Sequence, residues 1–165
     1  MVAPKEVKIR RGLMGVYLDR TKACFIDGTV GKLLYRGYSI HDLAEKSTFE
    51  EVVYLLLMGT LPTHKELDDF DTQLKADRNI PDEVVDIIDK IKNAHPMDVL
   101  RTGVSALSAF DPEVRDNSRE ATIRKGLRIT AKAPTIVATH ERLRKGLAPV
   151  SPNPNLSHSG NFLYM

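Results

Sequence analysis

The spacing of apolar positions changes character once, near residue 39. Before it, two short runs rich in Val, Tyr, Phe and Ile, Met14–Leu18 and Ala23–Ile26, are separated by polar residues. Asp27-Gly28-Thr29-Val30-Gly31 places two glycines in a turn, and Lys32–Tyr35 is a third extended run. The pattern predicts a small β-hairpin segment over residues 14–38, too short to form a core alone. Residues 1–13 carry Lys5, Lys8, Arg10 and Arg11 with few large apolar side chains, and are expected to be a flexible basic arm.

From Ser39 onward the period is helical. Ser39 precedes Asp42 by three positions, Thr48 precedes Glu51, and Thr63 precedes Glu66. At that spacing a hydroxyl can take an orphan backbone N–H while the carboxylate answers from the first turn. Helices are predicted at about 40–46, 48–58 and 63–77, with Gly59 ending the second. Pro81 opens a fourth, with Asp82 and Glu83 in its positive first turn and Val84, Ile87, Ile88 and Ile91 as its buried stripe.

The next helix is predicted from Pro96 to about Phe110. Met97, Leu100, Val104, Leu107 and Phe110 line one side, and most other positions are small. Such a helix is expected to be buried nearly all round, with room for another helix backbone to approach. Asp111-Pro112 breaks it, and Asn117 with Glu120 restarts a long helix to about Lys145. Between Ile129 and Thr139 that helix carries only Lys132 as a charge, and Pro134 should kink it. Gly146 is placed as its stop. Residues 147–156, with three prolines, read as an extended connector, and Leu156–Met165 as a further helix broken off mid-pattern. The expected fold class is all-α and bundle-like with a small N-terminal β-hairpin, residues 39–165 being an incomplete helical part of a larger domain.

Composition narrows the partners. Apolar residues make up 42% and charged residues 28%, with a net charge of +2, so nothing calls for nucleic acid or an acidic lipid surface. Cys24 is the single cysteine, which excludes an internal disulfide and any metal site built on paired thiolates. That usage suits a cytoplasmic setting. The N-terminus has no apolar signal-peptide core, and the longest apolar run, Val52–Met58, is far short of a membrane span.

Candidate chemistry is sparse. His95 stands before Pro96 at a helix start, where it could meet a ligand or hydrogen-bond the helix entrance; the second role is favoured, since no base or nucleophile lies nearby in sequence. His41, His64, His140 and His158 are scattered, without the i, i+4 spacing of a zinc helix. Cys24 lies in a predicted strand and is expected to be inert. The glycines of Asp27–Gly31 lack the Lys-Ser/Thr ending of a phosphate loop. The basic residues from Arg119 to Lys132 are read as a solvated helix face.

An ordered set of segments carries a family resemblance. Gly12-Leu13-Met14-Gly15-Val16, Ile26-Asp27-Gly28, and Gly31-Lys32-Leu33-Leu34-Tyr35-Arg36-Gly37-Tyr38 are followed by Leu55-Leu56-Leu57-Met58-Gly59-Thr60-Leu61-Pro62-Thr63. His95-Pro96-Met97-Asp98-Val99-Leu100-Arg101-Thr102, Pro134-Thr135-Ile136-Val137-Ala138 and Asn161-Phe162-Leu163-Tyr164-Met165 complete the set. The chain resembles the citrate synthases, including the 2-methylcitrate synthases, from about residue 12 onward. The resemblance implies the N-terminal part of an acyltransferase of the tricarboxylic acid cycle. That enzyme condenses oxaloacetate with acetyl-CoA to give citrate and CoA, with acetyl-CoA as substrate and no cofactor. It implies a homodimer through the helices at about 97–110 and 118–145. In the family a carboxylate and two histidines do the acid–base work, beyond the residues present here. No residue is therefore assigned as catalytic, substrate-binding, cofactor-binding or metal-binding. Family arginines near the CoA phosphates invite comparison with Arg36 or Arg10, without a residue-specific match. The alternatives are a 2-methylcitrate synthase fragment acting on propionyl-CoA, or a non-catalytic dimerisation module. The isolated chain is expected to be inactive.

Overall fold

A computed structural model describes residues 12, 15–17 and 19–165. The expected basic arm lies outside the described residues apart from Gly12, as do Met14 and Leu18 of the first predicted run.

The sheet has three antiparallel strands, β1 (Cys24–Asp27), β2 (Lys32–Tyr35) and β3 (Tyr38–Ser39), in that order. Cys24 pairs with Tyr35 and Asp27 with Lys32, then Tyr35 with Tyr38. The turn between β1 and β2 is closed by Asp27, whose Oδ1 accepts the backbone N–H of Thr29 at 3.0 Å. Gly31 there adopts a left-handed φ of 66°. The strand expected over Met14–Leu18 does not form at its described residues, which are irregular. Gly15 has a φ of 71°, incompatible with an extended run, and Tyr17 stands 98% exposed. The third strand comes instead from Tyr38–Ser39, directly before the first helix.

Seven helices follow among the described residues: α1 (Ile40–Lys46), α2 (Phe49–Met58), α3 (His64–Ala76), α4 (Asp82–Lys90), α5 (Pro96–Leu107), α6 (Arg119–Arg144) and α7 (His158–Tyr164). The capping boxes of Thr48 with Glu51 and Thr63 with Glu66 are both complete. Ser39 differs. Its hydroxyl accepts from His41 N–H, while Asp42 pairs with Lys46 at 3.0 Å. Ser118, not Asn117, caps α6, accepting the N–H of Ala121. A single 3₁₀ turn, Ser108–Phe110, ends the α5 region. α6 continues as one helix through Pro134.

α6 is the spine. On one side Phe70 and Leu74 of α3 meet Leu127 and Ala131, with Val53, Tyr54 and Leu57 of α2 against them. Further along, Ile136 joins Val84 and Ile88 of α4 and Val99 and Leu107 of α5. α5 is not buried all round. Its inward stripe is Val99, Gly103 and Leu107, whereas Met97 is 63% exposed and Phe110 also faces outward. The close approach that its small residues allow is made by α6 of the same chain, at Gly103.

Candidate functional site

Two places gather polar groups. The first is buried where α2, α3 and α7 converge. Arg78, just past the end of α3, is only 1% exposed. Its Nη1 donates to the carbonyls of Asn153 at 3.1 Å and Leu156 at 2.9 Å, fastening the connector that leads into α7. The carbonyl of Arg78 accepts the Thr135 hydroxyl of α6 at 2.8 Å. Glu50, in the first turn of α2, accepts the backbone N–H of His158 at 2.7 Å. Asn161 Oδ1 accepts the N–H of Asn153 at 2.7 Å. The His158 ring lies flat on Phe49, centroids 4.8 Å apart and planes 3° from parallel.

Electrostatics there follow from burial. Burial draws the Arg78 guanidinium below its ordinary value, and the charges of Asp71 and Glu50 restore part of the loss. His158 is likewise lowered, first by burial and then by the neighbouring Arg78. These groups hold backbone and charge in place. Their geometry is that of a clamp between helices.

The second place is the outer face of α5 and α6. Arg128 donates through Nε and Nη2 to the two oxygens of Asp111, at 2.9 and 2.8 Å, and its Nη1 lies 2.9 Å from Glu113. Arg124 also grips Glu113, its Nε donating at 3.0 Å. The hydrogen bonds from Arg124, then those from Arg128, hold the Glu113 carboxyl down at about 2. Burial pushes Asp111 up, but the Arg128 hydrogen bonds, the Glu113 N–H and the Arg128 charge together outweigh it. This network pins the segment after α5 onto α6. Beside it opens a cavity of about 340 Å³, walled by Ile80, Pro81, Leu107, Phe110 and Ile129, with Lys132 at its edge. Lys132 donates to the Asp77 carbonyl at 2.7 Å, and burial lowers its amine below the usual value.

The residues singled out in the sequence are placed apart. His95 caps α5, its Nδ1 accepting the N–H of Met97 at 3.2 Å. His140 is buried on α6 and donates from Nε2 to the Lys92 carbonyl at 3.0 Å. His41 and His64 are exposed in the first turns of α1 and α3, and Cys24 is half-buried on β1. Arg36, at a φ of 50°, donates to the Leu56 carbonyl at 2.7 Å and ties the sheet to α2. Arg10 lies outside the described residues. Of the basic run, Arg124 and Arg128 are engaged with Glu113 and Asp111, and Lys132 with the Asp77 carbonyl, rather than being free in solvent. Sequence reasoning passed over Arg78 and Glu50. Arg78 bonds to residues 75 and 78 positions away, and no local pattern signals that.

What remains is a helical scaffold whose polar groups organise packing, and its relatives agree on where such a scaffold occurs. The family model described as "Citrate synthase, C-terminal domain" matches residues 12–165. The citrate synthase of Haloferax volcanii is 45% identical over 165 residues, covering 96% of this chain and 43% of the relative. A 2-methylcitrate synthase of Mycobacterium tuberculosis is 40% identical, covering 100% of this chain and 42% of the relative. In three dimensions the chain is similar to the crystal structure of citrate synthase from Pyrobaculum aerophilum, at a TM-score of 0.90 and 40% identity, over 95% of this chain and 42% of that one. The chain belongs to the citrate synthase family. It spans less than half the length of these relatives.

Proposed function

We propose that the chain is the earlier part of an enzyme that condenses oxaloacetate with acetyl-CoA, releasing citrate and CoA, in the cytoplasm. The observation that carries this reading is coverage of nearly all of the chain by citrate synthases at 45% and 40% identity, together with a shared fold. The motifs from Gly12 to Met165 run in the order of the family's opening hairpin and helices, ahead of its reacting carboxylate and histidines. The reading takes acetyl-CoA as a substrate and no bound cofactor. Purified chain should release no CoA from acetyl-CoA and oxaloacetate above background; turnover would overturn the assignment of the reacting groups to another part of the protein.

The 2-methylcitrate synthase relative favours a second substrate, propionyl-CoA. Comparing acetyl-CoA with propionyl-CoA turnover in a chain of the relatives' length separates the two. The role proposed for these 165 residues is association. α5 and α6 would face a second copy through Met97, Phe110, Ile129 and Val137, all exposed apolar side chains. Sedimentation at micromolar concentration tests this, and a compact monomer at every concentration would count against it.

A further inference from the structure

The buried end of α7 is built around a single imidazole. His158 is 5% exposed, stacked on Phe49 of α2, and its backbone N–H is held by Glu50 of the same helix. Its Nδ1 is buried without a hydrogen-bond partner, so a proton added there would meet no acceptor. We propose that His158 is an acid-sensitive latch: with a neutral ring α7 stays docked on α2 and α6, and protonation releases it.

The charges facing the ring come from three directions. Glu50 faces it from α2, Asp71 from α3, and Arg78 from the segment beyond α3. From α6 the residues around the same surface are Thr130, Ala133, Pro134 and Val137, none of them charged. The two carboxylates attract an imidazolium, while Arg78 repels it and burial strips its water. Burial and Arg78 prevail, and His158 is lowered from 6.5. The sign follows directly. A histidine whose docked pKa lies below its released pKa binds a proton more readily when released. Docking is therefore fully stable above about pH 6.5 and weakens as the pH falls from there toward the lowered value. Phe49 and Phe162 are already half-exposed in an apolar groove with Pro134 and Val137, and releasing α7 would uncover the face of Phe49 that the His158 ring now covers.

Deuterium exchange of residues 157–165 in the 165-residue chain tests the latch at pH 7.2 and 5.5, after correction for intrinsic exchange rates. Protection of α7 should fall by about threefold to tenfold over that range, the ceiling being about tenfold per pH unit. α4 should keep its protection. In His158→Gln, whose amide can still lie on Phe49 but cannot become a cation, α7 should be protected at pH 7.2 and lose the pH dependence. An equal fall in both chains, or no fall in the unchanged one, overturns the proposal. If His158→Gln already releases α7 at pH 7.2, the imidazole resonance of the unchanged chain, assigned through bonds, decides. It should titrate below 6.5, and the rise in α7 exchange should fall between that midpoint and 6.5. Titration at or above the ordinary histidine range overturns the latch.

Discussion

Gly103 and Ile136 mark where α5 and α6 touch. A Cβ placed on Gly103 would sit 3.0 Å from Ile136 Cγ2, a separation that side chains do not tolerate without movement. Ile136 is fully buried among Val84, Ile88, Val99 and Leu107, so it has nowhere to move. Gly103→Val should destabilise the fold by about 2–3 kcal/mol, an overpacking cost. Gly126, elsewhere on α6, is the counterpart. A Cβ there would lie 3.8 Å from Leu57, an ordinary contact. Gly126→Ala should therefore stabilise by about 0.5–1 kcal/mol through the helical preference of alanine. Urea unfolding of the two variants should move the midpoint in opposite directions.

Arg78 gives a second prediction. Replacing it with methionine keeps the volume but removes both hydrogen bonds to the 149–156 connector and leaves Glu50 and Asp71 without their shared cation. The expected loss is about 2–4 kcal/mol. Amide exchange in residues 149–164 should rise first, with α4 following only at global unfolding. A variant of unchanged stability would mean that the guanidinium only fills space.

The network after α5 predicts an acid dependence. Asp111 and Glu113 both have folded-state values below their ordinary ones, Glu113 at about 2 against 4.5. Groups lowered in this way stabilise the fold above the ordinary carboxylate range, and that contribution is lost as the pH falls from about 4.5 toward 2. Glu113→Gln should lower the melting temperature most at pH 6 and converge with the unchanged chain toward pH 2, flattening the decline across that window. Thermal unfolding between pH 6 and pH 2 reads both.

Thr48 closes a complete capping box at the start of α2. Thr48→Ala should cost about 1 kcal/mol, and Thr48→Ser should restore most of it. Equilibrium unfolding of both variants checks the cap, because a purely steric role for the threonine would not be rescued by serine.

If α5 and α6 meet a second copy, Ile129→Glu should weaken association without unfolding the chain. Ile129 is exposed on α6 and borders the 340 Å³ cavity. Sedimentation equilibrium should shift toward monomer by at least tenfold in the dissociation constant, about 1.4 kcal/mol, with the far-ultraviolet circular dichroism unchanged.

Helix starts were legible because capping is local: Thr48 with Glu51 and Thr63 with Glu66 need only three residues of context. The strand expected near Met14 failed for a local reason, the left-handed backbone of Gly15. The α5 stripe was legible in part. Leu107 is buried and Leu100 and Val104 pack against the core, but Met97 and Phe110 face outward, and the inward face is completed by Val99 and Gly103, a glycine offering no apolar signal of its own. The Arg78 and Glu50 clamp was invisible for the opposite reason. Its partners come from the far end of the chain, and a charged residue beside a helix gives no sign that it is buried.

That clamp also sets an order of events. The bond from His158 N–H to Glu50 closes a span of 108 residues, whereas the pairings of α2 with α3 and α4 with α5 join neighbours in sequence. Long spans are entropically slow to close and contribute nothing until the ends meet. The neighbouring helix pairs should thus assemble early in refolding, with α7 arriving last, so that the environment of His158 reports whether the rest of this chain has already folded.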